Sequence, residues 1–127
     1  MLQRMVLRSS VVLTLAAVTA VCGSDADDVM IGAECASTGE CDNEELTCLT
    51  QFKGGYCGAA SCTANADCPE DSACVTHVGS NYCFRTCVDK EECNENRTTE
   101  NESNCSSSIT FAEAGTTGKA CVPPSGT

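Results

Sequence analysis

The chain has 127 residues, 18 of them acidic against 7 basic, and 13 cysteines. A formal charge of −11 excludes the basic surface that phosphate backbones require, so no nucleic-acid partner is expected. From residue 23 onward Leu, Ile, Val and Phe together number twelve, no more than the cysteines, which excludes a large apolar core and points to a fold held by covalent links.

The first ten residues carry Arg4 and Arg8 and no acid, and the apolar run Val11 to Val21 follows. A basic segment ahead of a short apolar one reads as an export signal. At eleven residues the run falls short of the roughly 20 needed to span a bilayer. It ends at Cys22, and Asp25, Asp27 and Asp28 come directly after. An apolar stretch closing on a cysteine resembles a bacterial lipoprotein signal, in which that cysteine is lipidated and becomes the first residue; Val21 stands where that pattern has Gly, Ala or Ser. Val18-Thr19-Ala20 also offers cleavage after Ala20, which would leave Cys22 in the mature chain. Parity bears on the choice. Twelve cysteines follow, at 35, 41, 48, 57, 62, 68, 74, 83, 87, 93, 105 and 121, and these can close six bridges without remainder. Residues 1–22 are therefore expected to be a signal ending at a lipidated Cys22. Residues 23–34 are expected to form an acidic tether.

An internal repeat organises the rest. The spacing Cys35-x5-Cys41-x6-Cys48-x8-Cys57 is followed by Cys62-x5-Cys68-x5-Cys74-x8-Cys83, and the two eight-residue gaps, LTQFKGGY and VTHVGSNY, agree in side-chain type. A looser third copy reads Cys87-x5-Cys93-x11-Cys105-x15-Cys121. Three units are expected: residues 35–61, 62–86 and 87–122, the third with a polar insertion, and then a flexible tail at 123–127. The expected fold class is small and disulfide-rich, made of tandem short β-hairpin units with little regular secondary structure.

Each long gap is expected to be a hairpin, turning at Lys53-Gly54-Gly55 in the first unit and at Gly79-Ser80-Asn81 in the second. Tyr56 and Tyr82, each just before its unit's fourth cysteine, are expected to cover a disulfide with the ring. Val88 to Glu92 has the composition for one helical turn. Four cysteines allow three pairings per unit, and spacing alone does not choose among them. The pairing adopted as the expectation is first to third and second to fourth: Cys35 to Cys48, Cys41 to Cys57, Cys62 to Cys74, Cys68 to Cys83, Cys87 to Cys105 and Cys93 to Cys121. On this reading a fragment of residues 62–86 forms its two bridges alone. The insertion NENRTTENESN carries N-x-S/T sequences at Asn96, Asn101 and Asn104, which loop composition by itself generates.

The second unit and its continuation, CTANADCPEDSACVTHVGSNYCFRTCVDKEEC, is similar to the cysteine-rich repeats of exported Gram-negative proteins described as Dickkopf N-terminal-like. The shared features are the C-x5-C-x5-C opening and an Asp before the second cysteine. The resemblance covers residues 62–93 and, more loosely, 35–61. It implies an exported, disulfide-stapled module.

No catalytic constellation is legible. His77 is the only histidine and occupies the hairpin position that Gln51 fills in the first unit, which suggests a polar surface slot. The cysteines read as bridged, so no thiolate nucleophile is expected. Knuckle-like spacings occur only between units, and no acidic calcium loop is present, so neither a metal nor another cofactor is expected. Two function classes remain. One is a non-enzymatic binding or structural module, held to a membrane by the lipid on Cys22 and meeting a protein or cell-surface ligand. The other is a freely secreted small protease inhibitor or toxin-like protein, for which Lys53, at a bridged loop tip, and Arg85, between Cys83 and Cys87, are the candidate contacts.

Overall fold

The computed structural model describes residues 30–125. The signal, Cys22 and residues 23–29 of the expected tether lie outside the described residues.

All six bridges join first to third and second to fourth cysteines: Cys35–Cys48, Cys41–Cys57, Cys62–Cys74, Cys68–Cys83, Cys87–Cys105 and Cys93–Cys121. The strands explain why the long gap repeats. In the first unit β1 (Thr47–Cys48) pairs antiparallel with β2 (Cys57–Ala60), placing Cys48 opposite Cys57. In the second, β3 (Ser72–His77) and β4 (Ser80–Cys87) place Cys74 opposite Cys83. In the third, β5 (Asn104–Ser106) and β7 (Lys119–Val122) place Cys105 opposite Cys121. The third and fourth cysteines thus face each other across a ladder, and each reaches back to a cysteine ahead of the hairpin, in a loop in the first two units and at the end of β4 or of a short helix in the third. In the first two units that loop makes a 3₁₀ turn, Thr38–Glu40 or Asn65–Asp67, ending at the second cysteine. The acid before that cysteine folds back onto it. The Glu40 carboxylate accepts from the Ala36 N–H, and that of Asp67 from the Thr63 and Ala64 N–H groups.

The units do not stand as separate beads. Strand β4 pairs with β3 along its length, with β2 through Ala59 and Ala60 opposite Cys83 and Tyr82, and with β7 through Thr86 and Cys87 opposite Ala120 and Lys119. The third unit's long insertion returns as β6 (Thr110–Phe111) to cover β3 at Val75 and Thr76. One continuous sheet therefore crosses both unit boundaries, although no disulfide does. The core is shared as well. Leu49, Phe52 and Tyr56 from the first unit pack with Val75 and Phe84 from the second and Ala120 from the third.

Several expectations are corrected. The second hairpin turns at Val78-Gly79, both with positive φ (47° and 78°), and closes at His77 opposite Ser80, because a two-residue turn of this hand matches strand twist. The tyrosine rings do not lie on the bridges. Neighbouring strand residues point to opposite faces, so Tyr82 joins Phe84, two positions on, in a stacked pair, while Cys83 faces Cys62 and Cys74 on the other side. The end of the expected tether is structural: Ile31 and Ala33 are buried against Leu46 and Cys57, and the Gly32 N–H donates to the Cys57 carbonyl. Nor is the tail free from its start, since Ser125 bridges to Phe52 and the Pro124 carbonyl accepts from the Lys53 N–H. The expected helical turn is present as α1 (Lys90–Cys93), where the Asp89 carboxylate caps the Glu92 N–H.

A shared core changes what a fragment does. An isolated 62–86 peptide loses the side chains that cover Val75 and Phe84, so it is expected to give a reshuffling mixture of bridge isomers on oxidation, whereas the whole chain reaches one. Chromatography of the oxidised fragment checks this, and a single isomer with protected amides would contradict the shared core.

Candidate functional site

Two polar centres hold the units in register, and neither is signalled by spacing. The first is the Tyr56 hydroxyl. Its side chain is fully buried, its O–H donates to the Cys121 carbonyl at 3.0 Å, and its oxygen accepts from the Arg85 N–H at 3.0 Å. Burial pushes the phenol well above its ordinary value of 10.0, against the opposing effects of the Arg85 N–H and the charges of Arg97 and Arg85, so it stays a neutral donor.

The second centre is Arg97, inside the polar insertion that reads as an irregular loop. Its Nε donates to the Asn101 carbonyl at 2.7 Å, Nη1 to those of Gly55 (2.7 Å) and Gly32 (3.3 Å), and Nη2 to that of Lys53 (3.0 Å). The guanidinium also lies 5.7 Å from the centre of the Tyr56 ring. Only a planar fork with several donors can span four carbonyls of three segments. Gly55 itself lies close against the segment at Cys35: its φ is +70°, and a Cβ there would fall 1.9 Å from the Cys35 carbonyl oxygen. Glu34 completes the clasp by accepting from the Thr98 N–H and hydroxyl.

The candidate contacts of the inhibitor reading fare differently. Arg85 is only 4% exposed and lies 3.8 Å from Glu95, so it is not a protruding basic residue. Lys53 is exposed, but its N–H is bound to Pro124 and its carbonyl to Arg97, and two glycines with positive φ follow. That backbone is neither extended nor free to pair with a protease cleft. His77 is no surface slot either, for its ring packs 5.9 Å from Phe52 and 5.8 Å from Phe84.

The crossed bridges gather sulfurs. Cys35, Cys41 and Cys57 lie within 4.8 Å of one another, as do Cys62, Cys68 and Cys83, and Cys87, Cys93 and Cys121. Each of these sulfurs is consumed in an S–S bond, and metals are held by thiolates. The crowding is the geometry of two crossing staples.

Beside the second hairpin's tip lies a depression of about 500 Å³, lined by residues that include Gln51, Ser61, Thr63, Ser80, Asn81 and Tyr82. Among the described residues no carboxylate, ammonium, guanidinium or imidazole lines it. Two other depressions carry acids, Glu34 and Glu40 in one and Glu91 and Glu102 in the other. The neutral groove joins the first unit's loop to the second unit's strand, so no sequence-local pattern announces it. No family model, curated protein or solved structure matches this chain.

Two measurements follow from the polar centres. Tyr56→Phe keeps the ring but leaves the Arg85 N–H and the Cys121 carbonyl without their partner in the core, and should cost about 2 to 4 kcal/mol. Denaturant unfolding of the oxidised protein reads this, and an unchanged midpoint would contradict it. At Glu34, partial burial acts to raise the carboxyl, but the Thr98 and Asn101 hydrogen bonds and the Arg97 charge together outweigh it and hold it below its ordinary 4.5. The carboxylate's contribution is therefore complete above that value and is lost as pH falls through the lower folded value. Hydrogen exchange at the Thr98 amide should accelerate under acid relative to the β3–β4 ladder, and Glu34→Gln should abolish that difference.

Proposed function

We propose that this chain is a lipid-anchored, non-enzymatic surface protein that acts as a binding or structural module, with the lipid on Cys22. The coarser part is direct. Six disulfides persist only in an oxidising setting, so this is an exported-type protein. Among the described residues no helix is long and apolar enough to cross a membrane.

The observation that carries the finer reading is parity. The six bridges consume every cysteine from Cys35 to Cys121, which leaves Cys22 alone without a partner in the chain. An exposed free thiol in an oxidising compartment invites mixed disulfides, and lipidation removes that hazard. The module is then displayed from the membrane through its N-terminal anchor. The likeness to Dickkopf N-terminal-like repeats of exported bacterial proteins supports the same reading. A protein or cell-surface ligand is its expected partner.

Intact mass of the protein exported by its native host tests the anchor. The expected result is a chain beginning at Cys22 with added acyl mass and a gain of twelve hydrogens on reduction of its six bridges. An unacylated chain, with or without Cys22, would overturn it and restore a freely secreted inhibitor or toxin-like protein as the working alternative.

A further inference from the structure

We infer that the neutral groove beside the second hairpin binds an uncharged carbohydrate. The inference rests on reading the chain as a binding module and names the ligand class.

After Cys22 the chain carries 18 acids and 5 bases, so its field repels anionic ligands. A cationic ligand would seek a carboxylate, and among the described residues none lines the groove, while two other depressions have them. A neutral polar ligand is what remains.

The groove's own groups narrow the class further. Part of its backbone is spent: the Ser61 N–H donates to the Asn81 carbonyl, and the Asn81 side-chain amide donates to the Cys62 carbonyl. Those groups are not open to a peptide backbone. Asn81 is fixed further by the Thr76 hydroxyl, and Thr63 by Asp67. Gln51, Ser61, Ser80 and the half-buried Tyr82 are the lining residues that bring an amide, two hydroxyls and an aromatic ring to the groove. Amides and hydroxyls that both donate and accept match sugar hydroxyls. An aromatic ring offers the apolar C–H face of a pyranose a surface to lie on.

The walls are rigid. Tyr82 is backed by Phe84, stacked at 5.6 Å with 9° between the planes. Ser61 holds a positive φ of 64° beside the Cys62–Cys74 bridge, and Val78-Gly79 forms the tight turn next to the opening. Such pre-ordering lowers the entropic cost of capturing a ligand. The groove is open and has few donors, so affinity for a single short glycan is expected on the order of 1 mM.

The test is amide-resolved NMR titration of the whole oxidised chain. The probes are cellotriose, chitotriose and maltotriose, with an oligogalacturonate as the anionic control and trialanine as the peptide control. At least one neutral sugar should give saturable shifts at Gln51, Ser61, Ser80 and Tyr82. The double variant Gln51→Ala/Ser80→Ala, both exposed positions, should weaken binding about tenfold, whereas Glu91→Gln should leave it unchanged. Absence of saturable shifts with all three sugars up to tens of millimolar overturns the inference. So do shifts confined to other amides, affinity unaffected by the double variant, or the same amides responding to either control instead. Failure here leaves the anchored-module reading standing on its mass measurement, and an unlipidated chain leaves the groove's chemistry unaltered.

Discussion

The molecule depends on one phenol. The Tyr56 hydroxyl, from the first cysteine unit, accepts from a backbone N–H of the second and donates to a backbone carbonyl of the third. In a dry interior such bonds are strong, and their loss strands two buried polar groups. Its ring meets Phe84 edge-on at 5.1 Å and carries the Arg97 guanidinium nearby, so apolar packing and the Arg97 clasp converge on the same side chain. Moving any unit relative to the others breaks a contact at this residue.

Around it, covalent and non-covalent links divide the task. Every disulfide lies within a unit, closing separations of 12 to 28 residues. Each contributes typically about 2 to 4 kcal/mol by restricting the unfolded chain. They fix the shape of each unit but do not join units. Joining falls to β4, whose ladder partners come from all three units, to the shared aromatic cluster, and to Arg97, which ties the third unit's insertion to carbonyls of Gly32, Lys53 and Gly55. The neutral groove is a product of this joining, for Gln51 and Ser80 come to line one depression only because β2 pairs with β4.

The sequence is most informative where a constraint repeats. The matching eight-residue gaps carry the hairpin and the opposed third and fourth cysteines, and the even count carries the bridges. The ring of Tyr82 goes with Phe84, two positions on, and not with the bridge at its neighbouring Cys83. What stays illegible is whatever occurs once. Arg97 sits in a run of Asn, Glu and Thr that has the composition of a solvated loop, and its four acceptors are backbone carbonyls, which leave no side-chain signature. Ile31 and Ala33 are two apolar residues too few to show a period, so the segment reads as tether. Arg85 looks like an exposed base between cysteines because burial of a single strand position depends on which strands flank it, and β7 arrives from more than thirty residues downstream. The Val78-Gly79 turn is hidden by a β-branched residue in a conformation that normally favours Gly or Asn.

Native-state hydrogen exchange across the three hairpins tests the central claim most directly. If the Tyr56 centre and β4 make one cooperative body, the slowest amides of β1–β2, β3–β4 and β5–β7 should exchange through a common global opening, with the same denaturant dependence. Three distinct opening free energies, one for each unit, would contradict it and return the molecule to independently stapled beads.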